Sequence, residues 1–259
     1  MDLHLRDKVI VITGGTDGLG AALAKGLLSE GARVAICGRD RERLARAQGE
    51  LGAQRDRLLA IPADVTVADD MERLIGTVAD QWQRIDGLVN NAGAASGNRV
   101  SDLSDEEWAD DFDLKVVAAA RLIRLATPHL RSSGGGSIIN VLAIAARAAA
   151  ASSLPSSASR AAGLALTKAA SKELGADGIR VNAILIGIIK SNQWVRRASQ
   201  TGAPIDELYA EMANRSGIPL GRVGELEEFA DLGAYLLSDR SSYITGSALN
   251  LDGGMSSAI

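Results

Sequence analysis

Apolar positions along the chain fall into two alternating patterns. Short runs, several of them continuously apolar and β-branched, occupy residues 9–13, 33–37, 57–61, 87–90, 137–142, 180–185 and 248–251. Between them, apolar residues recur at three- and four-residue intervals over 19–29, 41–51, 68–82, 105–131, 156–174 and 225–237, which is the period of an amphipathic helix. Strands apolar on both faces suit a parallel sheet covered on both sides, and parallel strands need right-handed crossovers. The pattern predicts one α/β domain over residues 1–259, a doubly wound parallel sheet of about seven strands with helices on both faces. Ser104 and Glu107 have the spacing of a capping box ahead of Trp108, and Pro155 suits the first turn of a helix. The polar segment 191–218, with Gly202 and Pro204, matches no strand and is expected to be a helical insertion that forms a lid over the site.

Composition narrows the setting. Aromatic residues are only 3% of the chain, so the core must be aliphatic. A net charge of −4 without a long basic run argues against a nucleic-acid surface. The single cysteine, Cys37, has no partner for an internal disulfide and falls in an apolar run as a small buried strand residue. One cysteine and two histidines cannot supply a typical zinc site, so no metal is expected. No apolar stretch approaches the ~20 residues that cross a bilayer, and residues 1–7 do not resemble a signal peptide. The expectation is a reduced cytoplasmic location with no membrane partner.

The chemistry begins at residues 13–20, Thr-Gly-Gly-Thr-Asp-Gly-Leu-Gly, directly after the first strand and opening the first helix. Gly14, Gly18 and Gly20 permit a tight turn that lets backbone N–H groups approach a diphosphate at the positive end of a helix. Thr16, Asp17 and Leu19 complete this loop. An ordinary strand-to-helix turn is the alternative for the glycines alone. Their place after strand one of a βαβ series favours a Rossmann-type dinucleotide site.

Further motifs follow in order: Asp64-Val65 after the third strand, Asn90-Asn91-Ala92-Gly93 at the end of the fourth, 219–222 as Pro-Leu-Gly-Arg, 243–246 as Tyr-Ile-Thr-Gly, and 252–254 as Asp-Gly-Gly. This ordered set, reaching from residue 8 to residue 254, resembles the short-chain dehydrogenase/reductase family. The resemblance implies a nicotinamide dinucleotide, with Asp64 and Val65 beside the adenine and Asn91, Ala92 and Gly93 beside the adenosine half. Family members that prefer NAD place an acid at the position of Gly38, to bind the ribose 2′-hydroxyl. Gly38 cannot do this, whereas Arg39 could pair with a 2′-phosphate. Asp17 would oppose that phosphate. On balance NADP(H) is expected over NAD(H).

The same resemblance implies a catalytic Asn, Ser, Tyr and Lys, and here all four positions differ. Aligned through 166–168 and 178–182, Ser156 falls at the tyrosine, Arg160 at the lysine, Ala143 at the serine and Lys115 at the asparagine. An aliphatic hydroxyl starts ~5 to 6 pKa units above a phenol, which is about 8 kcal/mol of missing anion stabilisation. Arginine stays charged and does not readily lend a proton, and Ala143 offers no hydrogen bond. Lys115 could restore a cation near the ribose, or simply pair with Asp111 four residues earlier. Tyr209 could swing in from the lid, although packing is the simpler role for it, as for Tyr235 and Tyr243; His129 reads as a cap or surface residue.

Two readings stand at this point. One is an NADP(H)-dependent carbonyl/alcohol oxidoreductase with a rearranged site, in which Ser156, Arg160 and Lys115 are the candidate catalytic residues. The other is a non-catalytic dinucleotide-binding protein acting as a sensor or partner subunit. The small residues Ala158, Ala161, Ala162, Ala165 and Ala169 on one helix, together with the family resemblance, lead to the expectation of a homodimer or homotetramer. The sequence does not name the small-molecule substrate.

Overall fold

The computed structural model describes residues 2–52, 56–202 and 204–258. Seven parallel strands form the main sheet: β1 (Val9–Thr13), β2 (Arg33–Gly38), β3 (Leu58–Pro62), β4 (Gly87–Asn90), β6 (Gly136–Ala143), β8 (Ile179–Ile186) and β9 (Ala248–Leu251). Two further strands of two residues each, β5 (Gly97–Asn98) and β7 (Leu154–Pro155), pair antiparallel outside it. The spatial order is β3-β2-β1-β4-β6-β8-β9, so the winding reverses between β1 and β4. A crevice opens at the carboxyl ends of the strands on either side of such a reversal.

The helices are α1 (Gly18–Ser29), α2 (Arg41–Leu51), α3 (Ala68–Trp82), α4 (Asp105–Phe112), α5 (Ala118–Ser132), α6 (Ser156–Leu174), α7 (Asn192–Thr201), α8 (Ile205–Arg215) and α9 (Leu226–Leu237). The period of two along β1 explains the layers. Val9 and Val11 face a core shared with α3, α5 and α6, through residues such as Leu74, Leu122 and Leu174. Ile10 and Ile12 face the opposite core, where Leu23 of α1, Leu44 of α2 and Phe229 of α9 meet. Because each central strand is buried on both faces, its whole run is apolar, which is the pattern visible in the sequence.

Several boundaries differ from the sequence reading, most by a residue at an end. The stretch 105–131 is not one helix: Asp113–Val117 forms a π-helical turn between α4 and α5, with the N–H of Ala118 bonded to the carbonyl of Asp113. Pro155 stands one residue before α6 and pairs with Gly97 rather than opening the helix. The third strand starts one residue later than expected, at Leu58. The Ser104–Glu107 capping box is present, and the segment 191–218 folds into α7 and α8. Cys37 is buried in β2, and burial pushes its thiol up to about 12, which leaves it inert at neutral pH. Among the described residues, no helix is long and apolar enough to cross a membrane.

Candidate active site

At the crevice, Thr13 ends β1 and ties it to β4. Its hydroxyl donates to the Val89 carbonyl at 3.3 Å and accepts from the N–H groups of Asn91 and Ala92 at 3.0 and 2.9 Å. The Asn91 amide returns the contact, donating to the carbonyls of Thr13 and Gly14 at 2.8 and 3.1 Å. The glycine loop lies against this seam. Gly14 has φ +65°, and a Cβ on Gly20 would stand 2.4 Å from the Gly14 carbonyl oxygen. Only a residue without a side chain fits there. Nothing lies within 4 Å of where a Cβ on Gly18 would be, so the first turn of α1 is left uncovered. Asp17 caps that helix, accepting from Gly18 N at 2.7 Å and from the side-chain amide of Asn192 on α7 at 2.6 Å.

A cavity of about 700 Å³ runs along the crevice. Its size falls in the range of small-molecule and cofactor sites, roughly 300–1,000 Å³. Arg39 and Asp64 line its outer end, and Val65 adjoins them. Gly14, Thr16, Asp17, Leu19, Asn91, Ala92 and Gly93 line the middle. Ala143, Ser156 and Arg160 line the inner end. Gly18 and Gly20 stand behind the wall, where they shape the turn. An open helix N-terminus beside flat glycine backbone, within an elongated cavity, fits a dinucleotide with its diphosphate at the loop.

At the outer end, a Cβ on Gly38 would come 2.7 Å from Thr16 Cγ2, so a side chain at this position requires the Thr16 side chain to shift. Arg39 is 78% exposed and its guanidinium stands 3.7 Å from the Asp64 carboxylate.

The inner end holds a buried polar cluster. Lys115 projects from the π-helical turn, and its side chain is 4% exposed. Its ammonium donates to Asp111 Oδ1, to Ser156 Oγ at 3.0 Å and to Ser96 Oγ at 3.3 Å. Asp111, 7% exposed, also accepts from Ser96 Oγ at 2.6 Å and from Ser159 Oγ at 2.5 Å. Arg160, one turn along α6 from Ser156, donates to the Val141 carbonyl at 3.3 Å. The structure therefore joins Lys115 to Ser156 directly and sets Arg160 beside them, and of the two roles expected of Lys115 it shows the pairing one. It is paired with Asp111 and it points a cation at the tyrosine-equivalent position.

Burial pushes the Lys115 pKa down, the bonded Asp111 carboxylate opposes the shift, and the Arg160 charge adds to it; the net effect is a value below the ordinary lysine range. Burial alone pushes the Asp111 carboxyl up, but the bonds from Lys115, Ser159 and Ser96 outweigh it and hold its pKa below the usual carboxylate value. Burial lowers the Arg160 pKa while Asp111 opposes.

Ser96 and Ser159 are site members that sequence reasoning missed, and Asp111 entered it only as a partner for Lys115. Only Asp111 carried a signal, its spacing of four from Lys115. The tyrosines stay outside the cluster. Tyr209 is buried within a group formed by Met212, Ala213, Ile218 and Val223, with the Lys190 ammonium 5.5 Å from its ring centre. Tyr235 packs against the core that holds Phe229, and Tyr243 is fully exposed rather than packed in its turn. His129 lies in the last turn of α5, where its carbonyl accepts from Ser132.

Comparison with known proteins agrees with this geometry. Residues 14–256 match the family model described as enoyl-(acyl carrier protein) reductase. A 3-oxoacyl-(acyl-carrier-protein) reductase from Staphylococcus aureus is 33% identical over 249 residues, covering 96% of this chain and 98% of the other. Among solved structures, L-sorbose reductase from Gluconobacter frateurii, complexed with NADPH and L-sorbose, superposes with a TM-score of 0.94 at 32% identity over 100% of both chains. An NADPH-bound short-chain oxidoreductase from Pseudomonas aeruginosa, described as containing an atypical catalytic center, gives a TM-score of 0.91 at 34% identity, over 98% of this chain and 100% of that one. With its winding reversal, its glycine loop and matches across nearly its whole length, the chain belongs to the short-chain dehydrogenase/reductase family of oxidoreductases.

Proposed function

We propose that this chain is an NADP(H)-dependent carbonyl reductase in which Lys115, working through Ser156, supplies the proton that a tyrosine supplies elsewhere in the family. The observation that carries the reading is the 3.0 Å bond from the Lys115 ammonium to Ser156 Oγ, in a cluster buried at the inner end of the dinucleotide cleft. Bound there, the reduced nicotinamide would supply a hydride to a carbonyl carbon. The Ser156 hydroxyl accepts a hydrogen bond from Lys115 and has its own proton to donate, so it can pass a proton to the carbonyl oxygen without becoming an anion itself. Asp111 keeps the ammonium charged against its burial, and Ser96 and Ser159 hold Asp111 in place. A positioned general acid contributes about 10²- to 10⁴-fold in rate.

The preference for the 2′-phosphorylated cofactor rests on the outer end. Thr16 crowds an acid at Gly38, Arg39 is largely exposed with a single long ion pair to Asp64 that a phosphate could replace, and two structural relatives are complexes with NADPH. Asp17 remains the opposing charge; its bonds to Gly18 N and Asn192 orient it. Segment 191–218 acts as a lid in this proposal, since Ser191 and Trp194 line the inner end and Asn192 reaches the glycine loop.

One observation favours the non-catalytic alternative. All three N–H donors of Lys115 are already bonded, to Asp111, Ser96 and Ser156, as in a structural lysine. Following NADPH consumption by absorbance across a panel of ketones and aldehydes separates the two readings. Turnover that falls about 100-fold or more in Lys115→Met, at unchanged NADPH affinity, supports the reductase. Tight NADPH binding with no consumption on any compound establishes the alternative.

A further inference from the structure

The inner end of the cleft carries more positive than negative charge. Lys115 and Arg160 bring two cations there, and Asp111 is the carboxylate that faces them. Asp111 is already committed, accepting from Lys115, Ser96 and Ser159. The neighbouring Lys190 is balanced by Glu225 at 2.6 Å. Arg160 is different. Among the described residues its one hydrogen bond goes to the Val141 carbonyl at 3.3 Å, and no carboxylate lies within ion-pair distance of its guanidinium. The same cavity is lined by Ala143, Ala145 and Ile188 as well as by Ser153 and Ser156, none of which carries a charge to balance it. A guanidinium has five N–H groups in a planar fork, and Arg160 lines the cavity with one hydrogen bond to the protein. Leaving such a charge unpaired in a low-dielectric wall is costly, and a ligand carboxylate relieves that cost with a bidentate pair. The dinucleotide does not neutralise this charge: its diphosphate belongs at the glycine loop, and its ribose hydroxyls and reduced nicotinamide ring are neutral.

We infer that the substrate is a small oxo acid whose carboxylate pairs with Arg160 while its carbonyl oxygen faces Ser156 and Lys115. The inference rests on the reductase reading above and names the substrate class for the same site. In the balanced step, the carbonyl carbon gains the hydride from NADPH and becomes C–H. Its oxygen takes a proton from Ser156, which takes one from Lys115, and Lys115 recovers a proton from solvent. The products are a hydroxy acid and NADP⁺, and the carboxylate is unchanged throughout. A competing role for Arg160 is to bond the ribose hydroxyls of the cofactor, as the family position implies; it predicts no preference between charged and neutral substrates.

The test uses the full chain with NADPH and matched pairs, each an oxo acid and its methyl ester, with the carboxylate at increasing distance from the carbonyl. For the best pair, the acid is expected to exceed the ester in kcat/KM by roughly 10- to 100-fold, the strength of a charge-assisted hydrogen-bond pair. In Arg160→Gln the ratio falls to about one while NADPH affinity, measured by calorimetry, stays within about threefold; Arg160→Lys restores part of the ratio. Thermal melting of both variants establishes that they are folded, and Arg160→Lys serves if the glutamine variant is not. Esters reduced as fast as acids by the unmodified chain overturn the inference. So does a variant that weakens NADPH binding and slows acids and esters alike. If nothing turns over, the reductase reading fails by itself, and calorimetry of the same pairs with the NADP⁺-loaded chain decides the substrate class. Arg160-dependent binding of the acid alone supports it; binding of neither compound, or of both equally, overturns it.

Discussion

At the residue scale, the behaviour of the site turns on one proton held by Lys115. Carbonyl reduction needs the ammonium form, and burial lowers the pKa of this lysine below its ordinary 10.5. Activity in the reducing direction is therefore expected to fall as pH rises through that depressed value, and a pH–rate profile of kcat/KM locates the limb. Asp111→Asn removes the carboxylate that holds the proton, so the limb moves to lower pH. Arg160→Gln removes a repelling charge and moves the limb to higher pH. A limb that stays in place in both variants excludes Lys115 as the titrating group. The asparagine variant also breaks a buried pair, at a cost of ~3–5 kcal/mol in a denaturant titration. The sign with pH follows from the lowered Asp111 pKa. Its stabilisation is present above the carboxylate's unfolded pKa and is lost as pH falls through the depressed folded value. The sequence exposed this chemistry only in part. Asp111 and Lys115 sit four apart and were visible as a pair, but Ser159 lies 48 residues from Asp111 and Ser96 lies 15 away. Serines that meet a carboxylate only through tertiary folding leave no periodic trace.

At the element scale, the strands were legible because each central one is buried on both faces and reads as an unbroken apolar run. The break between α4 and α5 was not, since a wider turn changes the helix period too little over five residues to disturb the apolar pattern. The end of β2 shows another fact hidden from sequence. A glycine at 38 leaves open whether an acid would fit without rearrangement, and the 2.7 Å approach to Thr16 Cγ2 shows that it would have to displace the Thr16 side chain. Gly38→Asp alone is thus expected to weaken binding of both nicotinamide dinucleotides. Gly38→Asp with Thr16→Ala makes room for the carboxylate and shifts the preference toward NAD(H). Calorimetry with both cofactors measures the change, and an unaltered NADP(H)-to-NAD(H) ratio in the double variant sinks this account of the outer end.

At the scale of the whole molecule, the two cores meet at β1, which carries the glycine loop, so a ligand held there stabilises the domain as a unit. NADPH at about a hundred times its Kd adds ~2.7 kcal/mol, or roughly 5–10 °C in Tm for a domain of this length. A thermal scan with NADPH and with NADH checks this, and no shift with either removes the cofactor reading. We also propose a homo-oligomer through the small-residue face of α6, where Ala161, Ala165 and Ala169 are exposed. Solution scattering is expected to return a multiple of 26.9 kDa, and the monomer mass contradicts it. The π-helical turn before α5 has a consequence of a different kind. Helix α5 is anchored in the core by Ala118, Leu122 and Ala126, whereas α4 is largely exposed. Deleting Leu114 would remove the extra residue of the wide turn and let the segment rewind as a plain helix, with Asp111 three residues from Lys115 instead of four. The pair would still share a helix face, but the ammonium would be re-aimed away from Ser156 with neither side chain altered, so a chain that still folds and still grips its coenzyme is expected to lose turnover, separating scaffold from chemistry by a single codon.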